Sequence, residues 1–135
     1  MFETFCISRE LHDGIVGHAR RGAPHEVCGM IGGANSTAAG IYPTKNPDAG
    51  ELTYSIDPRE AFSVIRRMRD AELDFIAVYH SHPATEAYPS PTDRAKAGDS
   101  DLIYVIVSLR QPEKPEVRAF KMSEGRVHEL KVVVE

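Results

Sequence analysis

The residues best suited to chemistry lie between Tyr79 and Asp93, in the run Y-H-S-H-P-A-T-E-A-Y-P-S-P-T-D. His80 and His82 stand two apart, so on a strand both imidazoles project from one face. Asp93 follows eleven residues after His82, with Ser90 three residues before it. Two imidazoles and a carboxylate are a sufficient protein ligand set for a catalytic zinc, with a fourth position open for water. Ser90-Pro91-Thr92-Asp93 is equally a helix start, with Ser at the cap, Pro at the first position and an acidic residue at the third. Asp93 therefore reads as a ligand or as a helix cap, and spacing alone does not separate the two. The other histidines, His12, His18, His25 and His128, show no rival metal spacing.

The rest of the chain must position this stretch. Its 135 residues suffice for one domain with a real core, and 41% hydrophobic with 27% charged residues is a globular composition. A net charge of −4 argues against nucleic acid, whose binding rests on clustered Lys and Arg. No apolar run approaches the roughly 20 residues of a membrane span. The N-terminus lacks the basic start and apolar core of a signal peptide. Cys6 and Cys28 are too few for a disulfide framework, so a reducing cytosol is the expected compartment.

Ser8 with Leu11, Ile15 and Ala19 predicts an N-capped helix over 9–22 ended by Gly22 and Pro24, with His12 and His18 as solvated surface residues. Residues 25–33 read as a glycine-rich strand, its glycines marking either close helix packing or room for a substrate backbone. Glu26 reads as a solvated strand-end carboxylate, and Cys28 as a small buried side chain. Short strands are expected at 38–44 and 52–56. A helix capped by Asp57 follows, with Ala61, Phe62, Ile65, Met68 and Leu73 as its apolar stripe and its arginines solvated. Residues 74–79 form a buried strand delivering the two histidines; 90–97 form a short helix; 102–107 form a central strand covered on both faces. Strands at 116–122 and 126–134 form a hairpin through Ser123-Glu124-Gly125. The pattern predicts an α/β fold with a mixed sheet.

At this point the residues match a known family. His80-Ser81-His82, seven residues, Ser90, two residues and Asp93, with Glu26 upstream in a Glu-x-Cys-Gly setting, resemble the JAMM signature of the MPN-plus (JAB) metallopeptidases. The resemblance spans essentially the whole chain, 1–135, as one such domain. It is nearest to the small bacterial peptidases that release cysteine from a ubiquitin-like sulfur-carrier protein. The resemblance implies a mixed, curved sheet flanked by two main helices, with a short helix at the metal site, as in cytidine-deaminase-like architectures. It implies one Zn2+ held by His80, His82 and Asp93. Glu26 would be the general base and Ser90 the oxyanion donor. The implied substrate is a carrier ending in Gly-Gly, with cysteine as leaving group.

Two alternatives remain within the resemblance: an isopeptidase that removes a ubiquitin-like modifier from lysines, and a non-catalytic MPN scaffold. A zinc deaminase would need His-x-Glu and Pro-Cys-x-x-Cys, and neither occurs. A homodimer is a further expectation.

Overall fold

The computed structural model describes residues 3–46, 55–97 and 101–135. Its elements in order are β1 (Thr4–Ile7), α1 (Arg9–Gly22), β2 (Cys28–Ala34), β3 (Thr37–Thr44), α2 (Pro58–Asp70), β4 (Asp74–His82), α3 (Pro91–Ala97), β5 (Ile103–Ser108), β6 (Glu116–Ser123) and β7 (Arg126–Val134). The expected strand at 52–56 falls mostly outside the described residues; Ser55 and Ile56 themselves lead into α2 without strand structure.

The strands run β1-β3-β2-β4-β5-β6-β7 and close into a barrel. This corrects the expectation of a curved sheet flanked by helices. The closing element is β1, four residues that composition does not flag. It pairs in parallel with β7 from Thr4↔Lys131 to Ile7↔Val134, and with β3 at Cys6↔Thr37. Closure leaves neither β7 nor β3 as an open edge.

Local rules explain the helices. Ser8 Oγ accepts the Leu11 N–H at 3.1 Å and Asp57 Oδ1 accepts the Arg59 N–H at 2.8 Å, so both long helices begin at side-chain caps. On α2 the buried residues are Val64 and Met68, with Ala61 and Ile65 packed beside them. Phe62 is 66% exposed, against expectation. It lies one position off the 61/64/65/68 stripe and so faces outward. At the β6–β7 turn, Glu124 and Gly125 both have positive φ, 50° and 76°, as a two-residue hairpin loop requires.

The period of two along β4 divides its side chains between two cores. Ala77 and Tyr79 join Ile31, Val105, Phe5, Ile7 and the α1 residues Ile15, Val16 and Ala19. Val78 joins Met30, Tyr104 and the α2 residues Val64 and Met68. His80 and His82 continue the Val78 row. As expected of a central strand, all six residues of β5 are buried.

The β2 glycines serve packing. A Cβ on Gly29 would lie 2.2 Å from the Tyr79 ring, and one on Gly33 would lie 2.0 Å from the Thr37 carbonyl oxygen. Gly32 faces Met68 and Leu73. The Tyr79 ring lies over Gly29, and its hydroxyl reaches His18 Nδ1 at 2.7 Å. His18 is therefore half-buried, with burial and then the Arg21 charge pushing its pKa down. His12 is also partly buried, beside Asp13. The reading of both as solvated surface residues fails, because α1 lies down on the sheet over much of its circumference.

Candidate active site

Three elements meet at the C-terminal end of β4. His80 and His82 are the last even-numbered residues of that strand, and α3 turns back so that Asp93, in its first turn, faces them. His80 Nε2 and His82 Nε2 are 3.1 Å apart, and Asp93 Oδ2 lies 3.2 Å from the first and 3.1 Å from the second. All three residues are buried: His80 fully, His82 to 4% exposure and Asp93 to 7%.

The competing roles of Asp93 coexist in one geometry. Its Oδ2 accepts the Ser90 N–H at 2.9 Å, while Ser90 Oγ accepts the Asp93 N–H at 3.0 Å. This reciprocal pair is a capping box. The cap fixes the carboxylate's direction, and that direction is toward the histidines. Because Ser90 Oγ caps as an acceptor, its hydroxyl hydrogen remains available to a substrate.

The His82 ring is oriented from its far side. Its Nδ1 lies 2.8 Å from the Glu86 carbonyl, which can only accept, so Nδ1 carries the proton. The Nε2 lone pair of the neutral ring then faces Asp93 Oδ2, and two acceptors at 3.1 Å call for a cation between them. A proton fills that role in part. Burial lowers the His82 pKa, but bonds to Asp93 and to the Glu86 carbonyl outweigh it and raise it. Burial would raise Asp93, yet hydrogen bonds from His80 and His82 hold its carboxyl well below the usual range. Burial dominates at His80, which is pushed down.

The same triangle fits a metal ion. A tetrahedral centre with bonds of about 2.0–2.1 Å has ligand–ligand edges of about 3.3–3.4 Å, close to the separations found. His80, His82 and Asp93 could hold such an ion.

Glu26 reaches this cluster from the approach to β2, and it is not a solvated strand-end residue. It is 6% exposed, and its Oε1 is buried without a hydrogen-bond partner. Its pKa is pushed up to about 7, chiefly by burial and further by Asp93, while His82 and Lys96 act against the rise. A buried, unpartnered carboxylate oxygen beside a cluster of ligand atoms is placed to take a proton from a water.

Two supporting residues escape a reading by motif. Ser81 Oγ accepts the Val27 N–H at 2.9 Å and the Ser81 N–H donates to the Val27 carbonyl at 3.0 Å, which fastens the residue after Glu26 onto β4. The Asn46 side chain donates to the Glu26 carbonyl at 3.0 Å and accepts the Ser55 N–H at 3.0 Å. Alternation along the strand was the available signal for Ser81, since a polar residue on the core-facing row needs a partner. Asn46 carried no such signal. Cys28 is buried with Sγ 3.3 Å from Thr44 Oγ1, as a small packed side chain.

Fold and sequence together define the class. Residues 8–123 match the family described as prokaryotic homologs of the JAB domain, and the chain belongs to that family. Among its relatives, the CysO-cysteine peptidase of Mycobacterium tuberculosis is 38% identical over 97% of this chain and 91% of its own length. The desampylase of Haloferax volcanii is 33% identical over 96% of this chain and 95% of its own. The solution structure of protein DSY2949 from Desulfitobacterium hafniense superposes with a TM-score of 0.91 at 32% identity, covering 98% of this chain and 93% of that one.

Proposed function

We propose that the chain, as a single domain over 1–135, is a cytosolic zinc-dependent peptidase. Its reaction is hydrolysis of the bond after the C-terminal Gly-Gly of a ubiquitin-like sulfur-carrier protein, with release of cysteine from a carrier–cysteine adduct. The observation that carries this reading is the pairing of a converged His80/His82/Asp93 cluster with the unpartnered, buried Oε1 of Glu26. Relatives named as a CysO-cysteine peptidase and a desampylase support the substrate class.

When bound by His80, His82 and Asp93, zinc supplies Lewis acidity and lowers the pKa of an adjacent water from about 15.7 toward about 7. Glu26 takes the proton of the attacking water on Oε1. Burial makes this carboxylate a stronger base than a solvated one, which suits that task. The same oxygen then hands the proton to the leaving amine, so cysteine departs neutral at nitrogen. Ser90 donates its hydroxyl hydrogen to the oxyanion while its lone pairs hold the Asp93 N–H. Asn46 and Ser81 hold the peptide unit that joins the base to Val27.

The desampylase relative favours a second reading, in which the amine belongs to a protein lysine; the chemistry is the same and only the leaving group changes. A non-catalytic scaffold has no use for the poised Glu26. The test pairs metal analysis with turnover. Wild type is expected to bind one zinc per chain and release cysteine from a carrier–cysteine adduct, and His80→Ala/His82→Ala to lose both. A protein that takes up no zinc sinks the proposal, and so does a zinc-loaded protein that leaves the adduct intact.

A further inference from the structure

The segment 83–90 joins the two elements that carry the metal-ligand candidates, and its middle residues Ala84, Thr85 and Glu86 are exposed. Yet the Glu86 carbonyl is the group that orients the His82 ring, at 2.8 Å from Nδ1. A ligand oriented by an exposed segment is oriented only as well as that segment is itself held.

What holds it is a stack of side chains on β6. The Tyr88 N–H donates to the same Glu86 carbonyl at 2.8 Å. The Tyr88 ring, 38% exposed, stands edge-on to the buried Phe120 with centroids 5.5 Å apart and planes at 79°. The Arg118 guanidinium lies over both rings, 5.9 Å from the Tyr88 centroid and 5.2 Å from that of Phe120. Arg118 is in turn fixed by Glu129, with two bonds of 2.7 Å. Arg118 and Phe120 are two apart on one strand and so share a face. Ala87, fully buried, packs with Ile106 and Phe120 beneath the stack. Ser108 donates its hydroxyl to the Thr85 carbonyl. The charge of Glu86 also acts on Arg118, so both ends of the stack meet at that residue.

We propose that Tyr88 and Arg118 are positioning residues for the reaction. They clamp segment 83–90 onto β6, and through the Glu86 carbonyl they hold His82 in the Nδ1–H tautomer with its Nε2 turned to Asp93. The inference rests on His82 being a metal ligand, as in the reaction proposed above. An arginine over a surface aromatic is common, at about one energetically significant case per 70–80 residues. The distinguishing feature here is that the Tyr88 backbone and the His82 ring share one acceptor. Partners of metal-bound histidines typically contribute about 10–100-fold to metal affinity or activity.

The test begins on metal-free protein, with long-range 1H–15N NMR of the histidine rings above neutral pH. Wild type and Tyr88→Phe, which keeps the ring, are expected to show His82 as a single Nδ1–H tautomer. Tyr88→Ala is expected to show a mixture of tautomers, with zinc affinity lowered about 10–100-fold. Arg118→Ala gives a smaller loss in the same direction, and it decides the matter if Tyr88→Ala does not fold. A folded Tyr88→Ala with the wild-type tautomer and zinc affinity overturns the proposal, as does a loss in Tyr88→Phe equal to that in Tyr88→Ala. Should wild type bind no zinc, the peptidase reading fails, while the tautomer measurement still decides whether the clamp holds His82.

Discussion

A carboxyl oxygen buried without a partner costs a protein free energy that packing must offset, and Glu26 Oε1 is such an atom. Its pKa, pushed up to about 7, means that the folded metal-free chain holds a proton that the unfolded chain releases near 4.5. A raised carboxyl pKa favours the folded state at low pH, and that contribution fades as pH rises from about 4.5 to about 7. Glu26→Gln, neutral throughout, is therefore expected to gain stability relative to wild type across that window, with a constant gap above it. Urea titrations of the metal-free proteins at several pH values measure this; parallel curves would mean that Glu26 is not buried as described. In turnover the proposed base role reverses the sign, because a base must be ionised to act: Glu26→Gln is expected to keep zinc and lose about 10²–10⁴ in rate. At this scale the pair of histidines was legible in the sequence, since strand alternation alone puts them on one face. Glu26 was legible only through the resemblance to the JAMM signature, since its local setting alone reads as a strand end; in the fold, the fastening of Val27 to Ser81 on β4 brings it in.

At the scale of elements, the site depends on how closely β2 and β4 lie together. Gly29 pairs with Tyr79, and the tyrosine ring occupies the space a side chain on Gly29 would need. Gly29→Ala is expected to destabilise the fold by about 1–3 kcal/mol, the usual range for overpacking a core. It should also lower activity, because Tyr79 adjoins His80. Chemical denaturation with assays on the folded fraction checks both effects, and a variant within about 0.5 kcal/mol of wild type would refute the packing account. The element boundaries that could be read in advance were those with chemical punctuation: Ser8, Asp57 and Ser90 at helix starts, and Glu124-Gly125 at the hairpin. The purpose of Gly29 could not be read, because it lies in a ring fifty residues away in sequence. Phe62 was misplaced for a smaller reason, an apolar type one position off the buried stripe.

For the whole molecule, closure is the feature least visible in the sequence. Thr4–Ile7 is short and reveals nothing of its partners, yet it joins β7 to β3 and inserts Phe5, fully buried, into the core that also holds Tyr79. Phe5→Ala should cost about 3–5 kcal/mol, as for other large buried aromatics. A loss below about 1 kcal/mol in urea unfolding would mean that β1 is not a working part of the barrel. Among the described residues no helix is long and apolar enough to cross a membrane. The central claim concerns where the bond is cut and what cuts it, and hydrolysis in 18O-labelled water addresses both. The zinc-loaded chain, given a carrier–cysteine adduct in that solvent, should yield free cysteine and a carrier with one heavy oxygen in its C-terminal glycine carboxylate, by intact mass. Cysteine release without label in the carrier, or no release at all, would contradict the account.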